Sequence, residues 1–332
     1  MIKQSSPWPK KIERLRTTAL AGGITRAQAL AIGRIPTGYL PRLWAIAGEM
    51  RDAFLGRAIR LCSIVNAKSG RCAEDCAFCA QSAHHRTGVK TYPLMDVAGL
   101  VKAGNAAFAA GAGEFSIVTS GTRVNEHDLA VIEKAVARLA KRHPGKDLCA
   151  SLGMISAEGL ARLKRAGLRR FHHNLETSRG HFPRICTTHA YDESIRTVRA
   201  AAAAGLKVCS GGIFGMGENW QGRVDLAWEA RRLPTAAFPV NFLNPIPGTP
   251  LARQPVLEPL EALRIIAMVR LVLPDRNVII CGGKERALGQ MLPLIFTAGA
   301  NGILIGGYLT TQGRTMADDI AMVREAGFKI VQ

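Results

Sequence analysis

The feature that most constrains this chain is an alternation. From about residue 60 onward, short apolar or β-branched runs alternate with longer stretches of helical period, the pattern of parallel βα units rather than of segregated strands and helices. Strands are predicted near 61–66, 114–119, 148–152, 169–174, 207–211, 239–243, 277–281 and 302–305. Helices are predicted near 95–110, 125–142, 156–166, 191–204, 220–232, 259–272, 284–298 and 315–326. Several of these helices end in the same pair, as in Ala166-Gly167, Ala204-Gly205, Ala298-Gly299 and Ala326-Gly327. Glycine just past a helix suits a left-handed C-terminal cap, so the recurrence marks a repeated turn. Eight units predict an α/β fold of the (β/α)8 TIM type. The rival, an open doubly wound sheet, lacks support because no GxGxxG fingerprint follows the first strand. Residues 1–60 carry no strand signal and predict helices near 10–20, 26–33 and 40–55, broken by Pro36 and Pro41. We therefore expect an N-terminal helical cap over 1–60 and a barrel over 61–332.

A hydrophobic content of 48% with 21% charged residues can bury a large core and excludes wholesale disorder. No run approaches the roughly 18 apolar residues of a membrane helix. Pro7-Trp8-Pro9 stands where a signal peptide needs an apolar core, and a long Arg/Ser-rich transit stretch is missing, so a soluble, cytoplasmic protein is expected. Lys and Arg exceed Asp and Glu by 44 to 25, and the first 60 residues hold eleven basic and three acidic ones. Aromatics are only 6% and no nucleic-acid motif is recognisable, which favours a solvated basic face over nucleic-acid binding. The same charge suits an acidic electron donor such as flavodoxin or ferredoxin. We expect a homodimer. The eight cysteines, unevenly spaced, read as reduced thiols serving as ligands or core residues.

Directly after the first strand stands Cys72-Ala73-Glu74-Asp75-Cys76-Ala77-Phe78-Cys79, on a loop at the face where barrel enzymes place their chemistry. Three thiolates can hold three irons of a [4Fe–4S] cluster and leave the fourth open to a small molecule. A Cys3His zinc site completed by His84 or His85 is the alternative. Elsewhere, Gly211-Gly212-Ile213-Phe214-Gly215-Met216-Gly217-Glu218 follows the fifth strand, where small residues allow close backbone approach to a planar ligand. The fourth strand ends in the polar run His172-His173-Asn174-Leu175-Glu176-Thr177-Ser178, and the sixth carries Asn241. An amide there suits a ureido ring, which offers both a carbonyl acceptor and N–H donors.

The triplet with Phe78 before its third cysteine, placed after strand 1 of a βα barrel, resembles the radical S-adenosylmethionine (SAM) enzymes. In that superfamily the open iron chelates SAM, and an electron from the cluster cleaves the sulfonium to a 5′-deoxyadenosyl radical. Within it the chain is similar to the biotin synthases, through Asn66-Ala67-Lys68-Ser69-Gly70-Arg71-Cys72, Asn174 to Ser178, Cys186-Thr187-Thr188-His189, Lys207 to Gly212, Gly248-Thr249-Pro250-Leu251 and Tyr308-Leu309-Thr310-Thr311. The resemblance implies sulfur insertion into dethiobiotin. It places dethiobiotin against Asn174 and Asn241, the SAM ribose against Asn174 and Glu176, and the adenine against Phe78 and Ile213.

Two departures stand out. Well-known members hold a sulfur-donating [2Fe–2S] cluster on three strand cysteines and an arginine; this chain matches Cys149 and Cys209 but has Ser116 and Ile279 at the other positions. Two further cysteines lie inside strands, Cys62 in the first and Cys281 in the seventh, so an auxiliary iron–sulfur cluster is expected on Cys62, Cys149, Cys209 and Cys281, with Cys186 left out. Secondly, His172 and Glu176 replace an Asn and an Asp of common members. Rival functions are a related radical SAM enzyme of hydrogenase maturation or methylornithine synthesis, and, in another class, an iron–sulfur electron carrier or a basic nucleic-acid-binding protein.

Overall fold

The computed structural model describes residues 6–331; residues 1–5, part of the stretch on which the leader reading bears, lie outside it. Three helices open the described chain: α1 (Trp8–Leu20), α2 (Arg26–Ile32) and α3 (Leu40–Leu55). Thr25 starts α2 through a capping box in which Gln28 answers its side chain, the local device that begins a helix after Gly22-Gly23. These helices are fastened to the helices that follow strands late in the chain by arginines, Arg264 buried and Arg231 half-buried. Arg264 donates to the carbonyls of Ile32 (2.9 Å) and Ile35 (2.6 Å), and Arg231 to that of Ile24 (3.0 Å).

The alternation then runs β1 (Ala58–Lys68), α4 (Val97–Ala109), β2 (Glu114–Thr119), α5 (Glu126–Arg142), β3 (Asp147–Ser151), α6 (Ala157–Arg165), β4 (Arg170–His172) and α7 (Tyr191–Ala203). It continues with β5 (Lys207–Cys209), β6 (Gly212–Phe214), α8 (Trp220–Arg232), β7 (Thr235–Phe242), α9 (Pro259–Val272) and β8 (Asn277–Ile280). The last elements are α10 (Lys284–Leu288), α11 (Leu294–Thr297), β9 (Gly302–Leu304), α12 (Met316–Glu325) and β10 (Lys329–Ile330). All the strand pairings are parallel. The order β1-β2-β3-β4-β5-β7-β8-β9 closes on itself because β9 also pairs with β1, from Arg60↔Gly302 to Cys62↔Leu304. This is the (β/α)8 barrel expected from the alternation. The repeated Ala-Gly ends are left-handed caps: φ is +109° at Gly167, +77° at Gly205, +100° at Gly299 and +78° at Gly327.

Four details differ from the sequence reading. The fifth strand is not continuous over 207–211; it breaks at Ser210-Gly211 and resumes as β6. The cause is Pro239 of β7, which has no N–H to give and lies so close that a Cβ on Gly211 would sit 2.1 Å from its carbonyl oxygen. The helix expected over 284–298 is cut into α10, a 3₁₀ turn and α11, because Gly289 takes φ +49° and Pro293 follows. The fourth strand ends at His172, and the polar run beyond it keeps only isolated bonds to its neighbour, His173 N–H donating to the Cys209 carbonyl (3.0 Å) and Leu175 N–H to that of Gly211 (2.9 Å). Lastly, β10 adds a short pairing to β1, Ala58↔Lys329, that the sequence reading did not anticipate.

Candidate active site

The loop carrying Cys72, Cys76 and Cys79 leaves the C-terminal end of β1 and is held by its own backbone. Cys72 N–H donates to the Gln81 carbonyl (3.0 Å) and Ala83 N–H to the Cys72 carbonyl (2.8 Å), folding the triplet back on itself. Ser82 Oγ donates to the Glu74 carbonyl (2.6 Å). The two carboxylates between the first cysteines reach outward. Asp75 accepts from the Thr187 hydroxyl and from the N–H groups of Thr187 (2.9 Å) and Thr188 (3.3 Å); these bonds hold it well below the usual carboxylate range although burial opposes them. Glu74 accepts from Thr122 (2.5 Å), from Thr188 and from His189 Nδ1 (2.7 Å). The cluster loop is thus tied to the segments following β2 and β4.

All three cysteines of the triplet line one cavity of about 360 Å³ that runs down the barrel axis. The same cavity is lined by Cys62, Cys149, Cys209 and Cys281, from β1, β3, β5 and the end of β8. Each of these four thiols feels at least one of the others: Cys62 interacts with Cys149 and Cys281, and Cys209 with Cys149 and Cys281. Burial pushes all of them up, Cys209 and Cys281 to about 12, and Cys62 and Cys149 well above the ordinary thiol range. Without a metal they are therefore protonated, and a cation that binds them must displace protons. The residues fit such a group: the thiols converge from four strands, and Ser116 Oγ and His172 Nε2 line the same space, buried and without a hydrogen-bond partner. Cys281 faces this cavity and not the outer helices, packing with Cys62 and Cys209.

Between the two cysteine sets stand the amides. Asn241 Oδ1 accepts from Gly282 N–H (2.9 Å) and its Nδ2 donates to the Gly212 carbonyl (3.2 Å), which fixes the amide's orientation at the cavity wall. Asn174 Oδ1 accepts from Gly211 N–H (3.3 Å), and its Nδ2 donates to Glu176 (3.4 Å). Glu176 sits at φ +61°, an uncommon conformation for a side-chain-bearing residue, held by Ile213 N–H donating to its carbonyl (2.8 Å). Burial pushes the Glu176 carboxyl up to about 7. Phe78 and Ile213, far apart in sequence, share an apolar patch with Ile185, Met216, Leu243 and Leu251. All the site residues singled out in the sequence line this one space except Ile213, which lies in the apolar patch shared with Phe78.

Sequence reasoning missed two groups. Cys186, set aside as a loop residue, lies against Cys76 and contacts His189 Nδ1 (3.3 Å) and Glu74 (3.8 Å). The hydrogen bond with Cys76, aided by His189, lowers the Cys186 thiol to about 5, while His189 rises to about 9. Ligand atoms of Glu74, Cys186 and His189 lie within 4.8 Å of one another, a set capable of holding a cation. The only sequence signal was the shared motif Cys186 to His189. The second group is an ion network at the barrel floor. Arg60 pairs with Glu114 (2.6 Å), Arg170 with Asp147 (2.8 Å), and Glu114 touches Cys62 Sγ (3.2 Å).

Comparison with known proteins places these features in context. Residues 67–227 match the Radical SAM superfamily, and residues 239–329 match the Biotin and Thiamin Synthesis associated domain. A biotin synthase of Nitratidesulfovibrio vulgaris is 49% identical over 314 residues, 95% of this chain and 86% of that protein. One of Heliobacterium modesticaldum is 48% identical over 320 residues, 96% of this chain and 98% of that protein. Among solved structures, a methylornithine synthase superposes with a TM-score of 0.83 at 18% identity, covering 96% of this chain and 97% of the other. The [FeFe]-hydrogenase maturase HydG superposes at 0.82 and 15% identity, covering 96% and 75%. These two likenesses are of fold alone.

Proposed function

This chain belongs to the biotin synthase family of radical SAM enzymes and converts dethiobiotin to biotin, and we propose that it does so with two iron–sulfur sites facing one barrel cavity. The observation that carries the proposal is that single cavity, lined at one end by Cys72, Cys76 and Cys79, at the other by Cys62, Cys149, Cys209 and Cys281, and between them by Asn174 and Asn241. When bound, the [4Fe–4S] cluster supplies the electron that cleaves SAM, and the auxiliary iron–sulfur cluster supplies the sulfur.

The chain's own residues do the rest. Cys72, Cys76 and Cys79 hold the first cluster and leave one iron for SAM. Asn174 and Glu176 accept the ribose hydroxyls, and the apolar patch of Phe78 and Ile213 takes the adenine. Asn241, its amide pinned by two backbone bonds, keeps one N–H and one lone pair for the ureido ring of dethiobiotin, with Asn174 on the other side. The barrel wall excludes water and stray C–H bonds from a reaction that attacks saturated carbon. The helices of the first 60 residues act as a cap on the catalytic barrel, whose first strand begins at Ala58. An acidic electron donor such as flavodoxin or ferredoxin is drawn by the basic excess, and the working unit is a homodimer.

The rival enzymes of hydrogenase maturation and methylornithine synthesis share this fold at 15–18% identity, whereas the biotin synthases share 48–49% of the sequence. The test is anaerobic reconstitution with iron and sulfide, then incubation with SAM, reductant and dethiobiotin. Biotin and 5′-deoxyadenosine identified by mass are expected from the natural protein, and neither from the Cys72/Cys76/Cys79→Ala variant. SAM cleavage surviving in that variant, or one zinc per chain in the natural one, refutes the cluster assignment.

A further inference from the structure

Arg170 is the least explained charged group in the barrel. It is 3% exposed, and its Nε donates to Asp147 (2.8 Å) with Glu114 further off (3.7 Å). Its Nη1, however, is buried and has no hydrogen-bond partner. A buried donor left unpaired costs about 1–3 kcal/mol, more when charged, so an orphan of this kind implies an acceptor that completes the site.

The position of Arg170 says what that acceptor is. On β4 it pairs in register with Cys149 of β3, and two residues on His172 pairs with Cys209 of β5. Arg170 therefore stands between the strands of two of the four converging cysteines, one inward-facing step toward the floor. At the floor Arg60, Arg169 and Arg170 stand against Glu114 and Asp147, three cations to two carboxylates. Four thiolates around an iron–sulfur core carry net negative charge, and this cationic excess beside an unpaired donor offsets part of the cost of burying it.

We propose that Arg170 is the anion-binding group of the auxiliary site, its Nη1 donating to sulfur of the cluster held by Cys149 and Cys209. The inference rests on the auxiliary-cluster reading above and adds a residue that the cysteine pattern alone does not indicate. A cation and a hydrogen bond at a cluster's sulfur favour the reduced, more negative state. Arg170 thereby raises the reduction potential of the auxiliary cluster and holds the sulfur-bearing side of it against the floor.

The experiment uses the full chain with Cys72, Cys76 and Cys79 changed to alanine, so that any iron retained after anaerobic reconstitution belongs to the auxiliary site. Into it are placed Arg170→Met, Arg170→Lys and, for comparison, Arg60→Met, which breaks the same ion network without removing the orphan donor. Iron is counted and the potential is titrated by absorbance and electron paramagnetic resonance. Expected is a more negative potential in Arg170→Met, a smaller shift in Arg170→Lys, and a smaller one still in Arg60→Met. Loss of iron in Arg170→Met that Arg170→Lys restores, with iron kept in Arg60→Met, carries the same meaning. An unmoved potential with iron retained overturns the role of Arg170, as does an equal effect of Arg60→Met or iron loss that lysine does not restore. No residual iron in the parent variant removes the auxiliary cluster itself, and this inference with it.

Discussion

Replacing Glu176 by glutamine separates what this residue does for the fold from what it does for the ligand. The folded protein raises the Glu176 carboxyl from its ordinary value of 4.5 to about 7, chiefly through burial. An acid whose pKa is raised on folding binds more protons when folded, so stability falls as pH climbs between those two values and is level above them. At about 1.4 kcal/mol per pH unit, the penalty of ionising Glu176 above pH 7 is at most about 3 kcal/mol, and less where cavity water solvates the carboxylate. Glu176→Gln keeps the size and tolerates the same backbone, so it should be more stable than the natural protein at pH 8 by up to that amount. At pH 4.5 the two should be alike. The assay is thermal unfolding of the metal-free protein against pH, where a gain of several degrees at pH 8 is expected. SAM binding to the reconstituted protein should move the other way, because an amide accepts less strongly than a carboxylate from two ribose hydroxyls; a loss of about tenfold or more is expected. A stability difference between the two proteins that does not grow from pH 4.5 to 8, or a glutamine variant that binds SAM as well as the parent, would refute this reasoning; comparing the two cancels the other groups that titrate in this range, among them His172 and His173, which burial lowers.

Asn241→Leu leaves Gly282 N–H and the Gly212 carbonyl without their present partners, at about 1–3 kcal/mol each. It should lower the melting temperature and weaken dethiobiotin binding by calorimetry while the iron count stays the same; unchanged dethiobiotin affinity sinks the ureido role. Gly248→Ala should destabilise by about 1–3 kcal/mol or more, since φ is +87° and the new Cβ would lie 2.0 Å from the Arg86 carbonyl oxygen, on the segment that follows the cluster loop. Denaturant unfolding that is unchanged in this variant contradicts that packing.

The extent to which the chain announces its own structure follows from the range of the forces involved. Helix and strand periods, the recurring Ala-Gly caps and the eight-residue Cys72 to Cys79 run are local patterns. Composition and spacing therefore determine the barrel and the cluster loop, and each cap forms from the few residues around it. Motif likeness singled out Asn174, Glu176 and Asn241, and the structure places all three on the cavity wall.

What the tertiary structure decided is which way side chains face and what they meet. In a strand, neighbours alternate sides, so a slip of one residue would turn Cys62, Cys149 or Cys281 outward. The register that points them inward is set by pairings between strands far apart in the chain. The break between β5 and β6 depends on Pro239, nearly thirty residues away in sequence. The Cys186 thiol against Cys76, the carboxylates of Glu74 and Asp75 on Thr187 to His189, and the unpaired Nη1 of Arg170 are likewise meetings of distant segments. No local preference encodes them, because their energies arise only once closure of the barrel by β9 on β1 has removed water from the space they share.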